Sequence, residues 1–291
     1  MLVHLVDGTY ELFRHYYAVP PVTNAHGEEV GAVAGVVRSI VGLLESGATH
    51  VAVATDHVIE SFRNDLYPGY KSSAGMDPVL LGQFVPLEEA LVAMGVTVWP
   101  MVEWEADDAL AAGAARASSA GPVEQVLICT PDKDLAQCVR DARVVQLDRR
   151  QRIVRDEDGV RAKFGVGPRS IPDLLALTGD SADGFPGLPG WGAKSAAAVL
   201  GRYEHLEAIP ARASDWDVSV RGAERLAATL AEQMAEALLY RDLATLREDT
   251  PVTGEVQDWR WTGPGEEFGA WCDRLADAEL RARVEGMAAR V

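Results

Sequence analysis

Short β-branched runs alternate with longer stretches of helical spacing through the first half of the chain. LVHLVD at 2–7, HVAVATD at 50–56, GVTVWP at 95–100, EQVLICT at 124–130 and ARVVQLD at 142–148 read as strands. Between them, apolar residues recur at helical spacing from about Gly31 to Leu44, Leu80 to Met94 and Ala106 to Ala117. Strands separated by helices indicate βαβ units and a parallel sheet. Near residue 165 the pattern changes. From Ile171 to Thr245 it is helical, broken by the Gly/Pro cluster DGFPGLPGWG at 183–192. Trp259, Trp261 and Trp271 precede a terminal amphipathic helix and are expected to pack back on the body as core.

Composition supports an ordinary folded protein: 291 residues, 48% apolar and 24% charged. With 27 basic against 44 acidic residues the net charge is −17, which taken alone argues against a nucleic-acid binder. The acidity is uneven, however. Residues 1–138 carry 6 basic and 18 acidic groups, whereas 139–169 carry 9 basic and 5 acidic. Cys129, Cys138 and Cys272 are odd in number and lack CxxC spacing, so neither a disulfide framework nor a zinc ribbon is expected. No basic leader and no apolar run of about 20 residues is present. A cytoplasmic protein with no membrane partner is the expectation.

Ligands of open parallel α/β sheets bind outside the carboxyl ends of the strands, and four predicted strands end there in carboxylates. These are Asp7, Asp56, the group Glu105, Asp107 and Asp108, and the pair Asp132 and Asp134. Each could be a helix cap or a first-turn acid. Together they would repel strongly unless cations sit among them. Hard cations such as Mg²⁺ or Mn²⁺ suit carboxylate oxygens, and a pair of such ions suits phosphoryl displacement. The six histidines form no ligand-spaced pair, which argues against a zinc hydrolase.

A second constellation, LTGDSADGFPGLPGWGAKSAAAVL, places Asp180 and Asp183 at the start of a glycine-rich hairpin between two helical patterns. Its glycines let backbone N–H groups approach a phosphate, and Lys194 opens the next helix. The spacing is one residue from a Walker A loop. Ala193 separates Gly192 from Lys194 and no strand precedes it, so that reading is set aside.

Together these motifs resemble the 5′-nuclease family, which includes bacterial 5′–3′ exonucleases, the nuclease domains of type I DNA polymerases and flap endonucleases. The resemblance covers about residues 2–250 and rests on VDGTY, ATDHVIESFRNDLYPGYK, EADD, PDKDLAQ, TGDSADGFPGLPGWGAKSA and the distal DWDVSVRGAERLA and LLYRDLATL. It implies an α/β class: a PIN-like, mostly parallel twisted sheet flanked by helices, with a helix-hairpin-helix (helix-three-turn-helix) module. The nuclease core would span 1–168, with a helical arch at about 57–90. The DNA-binding module and C-terminal helices would span 169–291.

The implied activity is divalent-metal-dependent 5′–3′ exonuclease and 5′-flap endonuclease cleavage, leaving 5′-phosphate and 3′-hydroxyl ends, in DNA replication or repair. Asp7, Asp56, Glu105, Asp107 and Asp108 would hold one ion, and Asp132, Asp134, Asp180 and Asp183 a second, of two or three Mg²⁺ or Mn²⁺ in all. Lys71 would lie against the scissile phosphate, and Arg63 would contact phosphate or brace the arch. Tyr70, Gly187, Gly190, Gly192, Lys194 and Ser195 would meet DNA, with K⁺ at the hairpin. The partner would be DNA with a 5′ end or 5′ flap, and the enzyme a stand-alone monomer. Two positions depart from the family pattern: Ala74 stands where a second basic residue is usual, and Pro131 where glycine is usual. The rival readings are a PIN-type ribonuclease and a non-catalytic DNA-structure binder.

Overall fold

A computed structural model describes residues 1–289. The chain runs β1 (Leu2–Asp7), α1 (Gly8–Ala18), α2 (Gly31–Glu45), β2 (His50–Asp56), α3 (Phe62–Leu66), α4 (Pro78–Leu81), α5 (Phe84–Ala93) and β3 (Thr97–Met101). It continues through α6 (Ala106–Ser119), β4 (Gln125–Cys129), β5 (Val144–Asp148), β6 (Ile153–Arg155), α7 (Glu157–Phe164), α8 (Ile171–Thr178) and α9 (Ala193–Tyr203). Then follow α10 (Ala223–Glu232), α11 (Met234–Ala244), α12 (Phe268–Arg274) and α13 (Ala278–Ala288). Two compact units share these elements, each assembled from separate stretches of chain. The first takes Met1–Ile59, Ser73–Thr130 and the chain from Glu248 onward; the second takes Glu60–Ser72 and Pro131–Arg247.

In the first unit the strands lie in the order β3-β2-β1-β4, all parallel. β2 is buried at every position, as a central strand covered on both faces must be. Asp7 pairs in register with Ala54, and Asp56 with Met101, so both aspartates lie at the carboxyl edge. α6 packs along all four strands, and α2 packs on α1 and α5. The chain beyond Glu248 completes this unit. Trp259 meets Trp99 edge-on with ring centroids 5.1 Å apart, and both indole N–H groups donate to the Thr253 carbonyl. The Trp261 backbone N–H donates to the Thr49 carbonyl at 2.8 Å and its indole to the Met94 carbonyl at 2.8 Å.

The second unit corrects the expectation of a mostly parallel sheet. β5 and β6 pair antiparallel, Gln146 opposite Arg155 and Asp148 opposite Ile153. They are joined by residues 149–152, with Arg152 at φ 58°. A connection this short can only reverse the chain, because a parallel partner needs a crossover of a dozen residues or more. The helix-hairpin-helix (helix-three-turn-helix) expectation falls on the stretch around α8 and α9. α8 and α9 are separated by residues 179–192, which form a loop with its own bridge between Asp180 and Phe185. Pro186, Pro189 and four positive-φ glycines give that loop turns of its own. The unit's core gathers Leu175, Leu177, Phe185, Val199 and Leu226. No helix among the described residues is long and apolar enough to cross a membrane.

Candidate metal centre

In the second unit three aspartates converge. Asp134 opens a 3-10 turn (Asp134–Cys138) directly after the Pro131–Lys133 loop, and buried Leu135 and Ala136 hold that turn inward. Gln137 fixes it from the other side: its amide donates to the Ala244 carbonyl and its oxygen accepts the Leu246 N–H, at 2.9 and 3.0 Å. Asp180 and Asp183 come from the loop after α8. The Asp180 N–H donates to the Phe185 carbonyl, its carbonyl accepts from Gly184, and its Oδ1 accepts the Ala182 N–H. One carboxylate oxygen from each of Asp134, Asp180 and Asp183 lies within 4.8 Å of the others, and all three residues are buried. No other trio of His, Cys, Asp or Glu among the described residues meets that spacing.

The electrostatics follow from this crowding. Burial pushes the Asp134 carboxyl well above its ordinary range, and the Asp132 and Asp183 carboxylates push it further, against the pull of Lys133. The Lys133 ammonium bonds Asp180 and lies 3.7 Å from Asp134. Burial opposes that charge, yet Asp134, Asp180 and Asp132 together raise its pKa. Sequence reasoning does not single out Lys133, although its place between two aspartates in PDKD carries the signal. Asp134 Oδ1 is buried without a hydrogen-bond donor. A buried carboxylate oxygen lacking a donor, within a set of hard oxygen donors, fits a divalent cation.

Lys71 belongs to the same unit and reaches this cluster. Its N–H donates to the Asp183 carbonyl at 2.9 Å, and its ammonium lies 3.3 Å from Asp183 Oδ1. The approach requires glycine at 184, where φ is +87° and a Cβ would sit 2.3 Å from the Gly69 carbonyl oxygen. The Arg63 side chain is 1% exposed; Nε donates to the Leu243 carbonyl at 2.7 Å and Nη2 to that of Thr245 at 3.1 Å. It thus braces the end of α11. Tyr70 packs into the unit's core at 5% exposure. Gly192 and Lys194 are exposed at the start of α9, where Ser195 Oγ exchanges hydrogen bonds with Gly192; Gly190 is exposed and Gly187 buried.

The remaining carboxylates occupy other positions. In the first unit Asp7 caps α1, Oδ1 accepting the Tyr10 N–H and Oδ2 the Thr130 hydroxyl. Asp56 Oδ1 accepts the Ala106 N–H at 2.7 Å, and Asp108 accepts the Glu105 N–H at the start of α6. Asp107, in the same first turn, is less buried than Glu105 and Asp108. In the second unit Asp132 Oδ1 accepts the Asp134 N–H. These six are carboxyl-edge and loop acids outside the close trio.

Comparison with known proteins decides the family. The N-terminal resolvase-like domain of 5′-3′ exonucleases matches residues 2–165, and the C-terminal SAM fold of the same family matches residues 166–267. The chain belongs to the 5′-3′ exonuclease family. Among curated relatives of this 5′-3′ exonuclease chain, DNA polymerase I of Pseudomonas aeruginosa is 34% identical over 98% of the chain and 32% of its own length. DNA polymerase I of Bacillus caldotenax is 32% identical over 90% of the chain and 30% of its own length. The chain therefore spans about a third of the length of the curated relatives it matches.

Among solved structures, T5 5′-exonuclease with bound zinc ions gives a TM-score of 0.65 at 16% identity, covering 99% of this chain and 98% of its own. The catalytic core of Rad2 in complex with DNA substrate gives 0.64 at 15% identity, covering 99% and 92%. The fold is that of these flap-endonuclease-type nucleases, with strands of both senses. The PIN-like assignment is corrected accordingly.

Proposed function

We propose that this 5′-3′ exonuclease family chain is a divalent-metal-dependent nuclease that degrades DNA from 5′ ends and cuts 5′ flaps. It leaves 5′-phosphate and 3′-hydroxyl ends, and it serves replication or repair as a cytoplasmic monomer. The observation that carries this reading is the buried Asp134–Asp180–Asp183 cluster, with its donorless Asp134 oxygen and a lysine on either side.

Asp134, Asp180 and Asp183 would hold Mg²⁺ or Mn²⁺, with Asp132 beside them. Asp7, Asp56, Glu105, Asp107 and Asp108 would be the ligand set of the first unit. A divalent cation so bound would supply Lewis-acid charge neutralisation and lower the pKa of a water molecule beside the phosphate. The chain's own groups do the rest. Lys71, tied to Asp183, offers a fixed ammonium to a phosphate oxygen as negative charge develops in the transition state. Lys133 holds Asp180 and Asp134 together against their mutual repulsion. The exposed start of α9, with Lys194 and Ser195, would grip the duplex backbone without reading sequence, and K⁺ would sit at the loop of Gly187, Gly190 and Gly192.

The test is cleavage of a labelled 5′-flap DNA by wild-type protein, Asp134→Ala and Asp180→Ala. Loss of a ligand to a metal that contributes several kcal/mol should slow cleavage at least about 100-fold, with melting temperatures showing both variants folded. Full Mg²⁺-dependent cleavage by both variants would overturn the assignment.

A further inference from the structure

The hairpin of β5 and β6, with α7 after it, inverts the charge of the molecule around it. Arg150, Arg152, Arg161 and Lys163 are exposed and Arg155 is half-buried, while Ile153 and Val154 of β6 are 40% and 55% exposed. Arg155 Nη1 is buried and has no hydrogen-bond partner. No carboxylate among the described residues pairs with Arg150, Arg152, Arg155 or Lys163 within 4.0 Å, although the segment also contains Asp156, Glu157 and Asp158. Asp156 instead caps α7 and Glu157 faces Arg161. Burial and then Arg155 lower the Lys163 pKa, against the pull of Asp132 and Asp148, so the two cations stand close enough to repel each other. The hairpin is also fastened to the carboxylate loop, because the buried Gln146 of β5 donates to the Asp132 carbonyl.

We propose that Arg155 and Lys163, with Arg150 and Arg152 at the hairpin tip, form a backbone-phosphate contact that holds nucleic acid beside the aspartate cluster. A phosphate on the ridge offers these cations an anionic acceptor and relieves the repulsion between Arg155 and Lys163. Charge complementarity selects this occupant. A polyanion is the partner that a local basic ridge attracts on a protein of net charge −17. Gln146 then relates the gripped phosphate to the loop that presents Asp132 and Asp134. The proposal rests on the nuclease reading for its substrate but not for its test.

The experiment is equilibrium binding of a labelled blunt DNA duplex in Ca²⁺, across a salt series. It compares wild-type protein, Arg155→Ala/Lys163→Ala, Arg150→Ala/Arg152→Ala and the conservative Lys163→Arg. Removing a side chain that neutralises one phosphate should flatten the slope of log K against log salt by about 0.9. Each double variant should therefore bind at least tenfold more weakly with a shallower slope, while Lys163→Arg stays near wild type. The tip variant alters only exposed side chains, so its melting temperature should be unchanged. Unchanged affinity and slope in both double variants would overturn the proposal. So would competition at this ridge by a polyglutamate peptide but not by DNA, which would assign it to an acidic protein. If wild-type protein binds as expected but does not cut, the nuclease reading fails and this one stands. If it cuts while the slopes are equal, the reverse holds.

Discussion

Arg63 combines full burial with a permanent charge. A guanidinium out of water must have its N–H groups accepted, and here the Leu243 and Thr245 carbonyls do so at the end of α11, where helix carbonyls lack intrahelical donors. The side chain joins α3 to the chain entering residue 247 within one unit. Arg63→Ala leaves both carbonyls without that donor and opens a cavity. Unfolding free energy should fall by about 3 kcal/mol, read as a lower urea midpoint with an unchanged slope. A midpoint equal to wild type would show that Arg63 is not a structural brace. Lys71 has the opposite character: it is partly exposed, carries its charge at the carboxylate cluster, and is held through its backbone by Asp183.

Among the elements, α8, the turn at Leu206–Ala208 and α11 are joined by a charged network. Buried Asp173 of α8 accepts from His205 at 2.8 Å and from Arg241 of α11 at 3.1 Å, while Arg241 also forks onto Glu207. The Arg241 hydrogen bonds lower the Glu207 carboxyl from an ordinary 4.5 to about 2. A carboxyl depressed in the folded state stabilises it fully above its unfolded pKa. That contribution disappears as pH falls from about 4.5 through about 2. Urea midpoints of wild-type protein should thus drop across this window more steeply than those of Arg241→Met; parallel profiles would exclude the linkage.

Legibility at this scale depends on burial. The runs 2–7, 50–56 and 124–130 are readable because a covered strand must be continuously apolar, and the aspartates ending them are readable as punctuation. α1 escapes a reading of the sequence because Asp7 both ends β1 and caps the helix, so no turn residues mark the change, and little of the helix is buried. β6 has three residues with two apolar side chains in solvent, too short and too exposed to show a period. The aspartate cluster is legible as residue types. Which three of nine acids close to within 4.8 Å is not, because that depends on a bridge between Asp180 and Phe185 that leaves no periodic trace.

Over the whole molecule, charge and chain path carry different information. The −17 excludes less than it suggests, because acids are concentrated in caps and in the proposed ligand sets while cations gather locally. The path matters more for stability. The first unit is a sheet whose covering depends on residues far along the chain: Trp259, 1% exposed, lies against Trp99 of β3, and Arg283 and Arg274 pair with Glu45 and Glu28. Trp259→Ala should cost about 3–5 kcal/mol and lower the melting temperature, with amide protection lost first in β2 and β3. Retained protection there would mean that the unit stands without its distal segment.

That interleaved path also imposes a timetable on the newborn protein. By the time residue 247 has been made, every segment of the second unit exists, whereas the first unit still lacks the stretch that begins at Glu248. At a synthesis rate of about 5–20 residues per second, roughly 6 to 24 seconds separate Thr130 from Glu248. Through that interval four parallel strands wait with Trp99 uncovered. The segment that begins at Glu248 is the one that ends their exposure to chaperones and to aggregation.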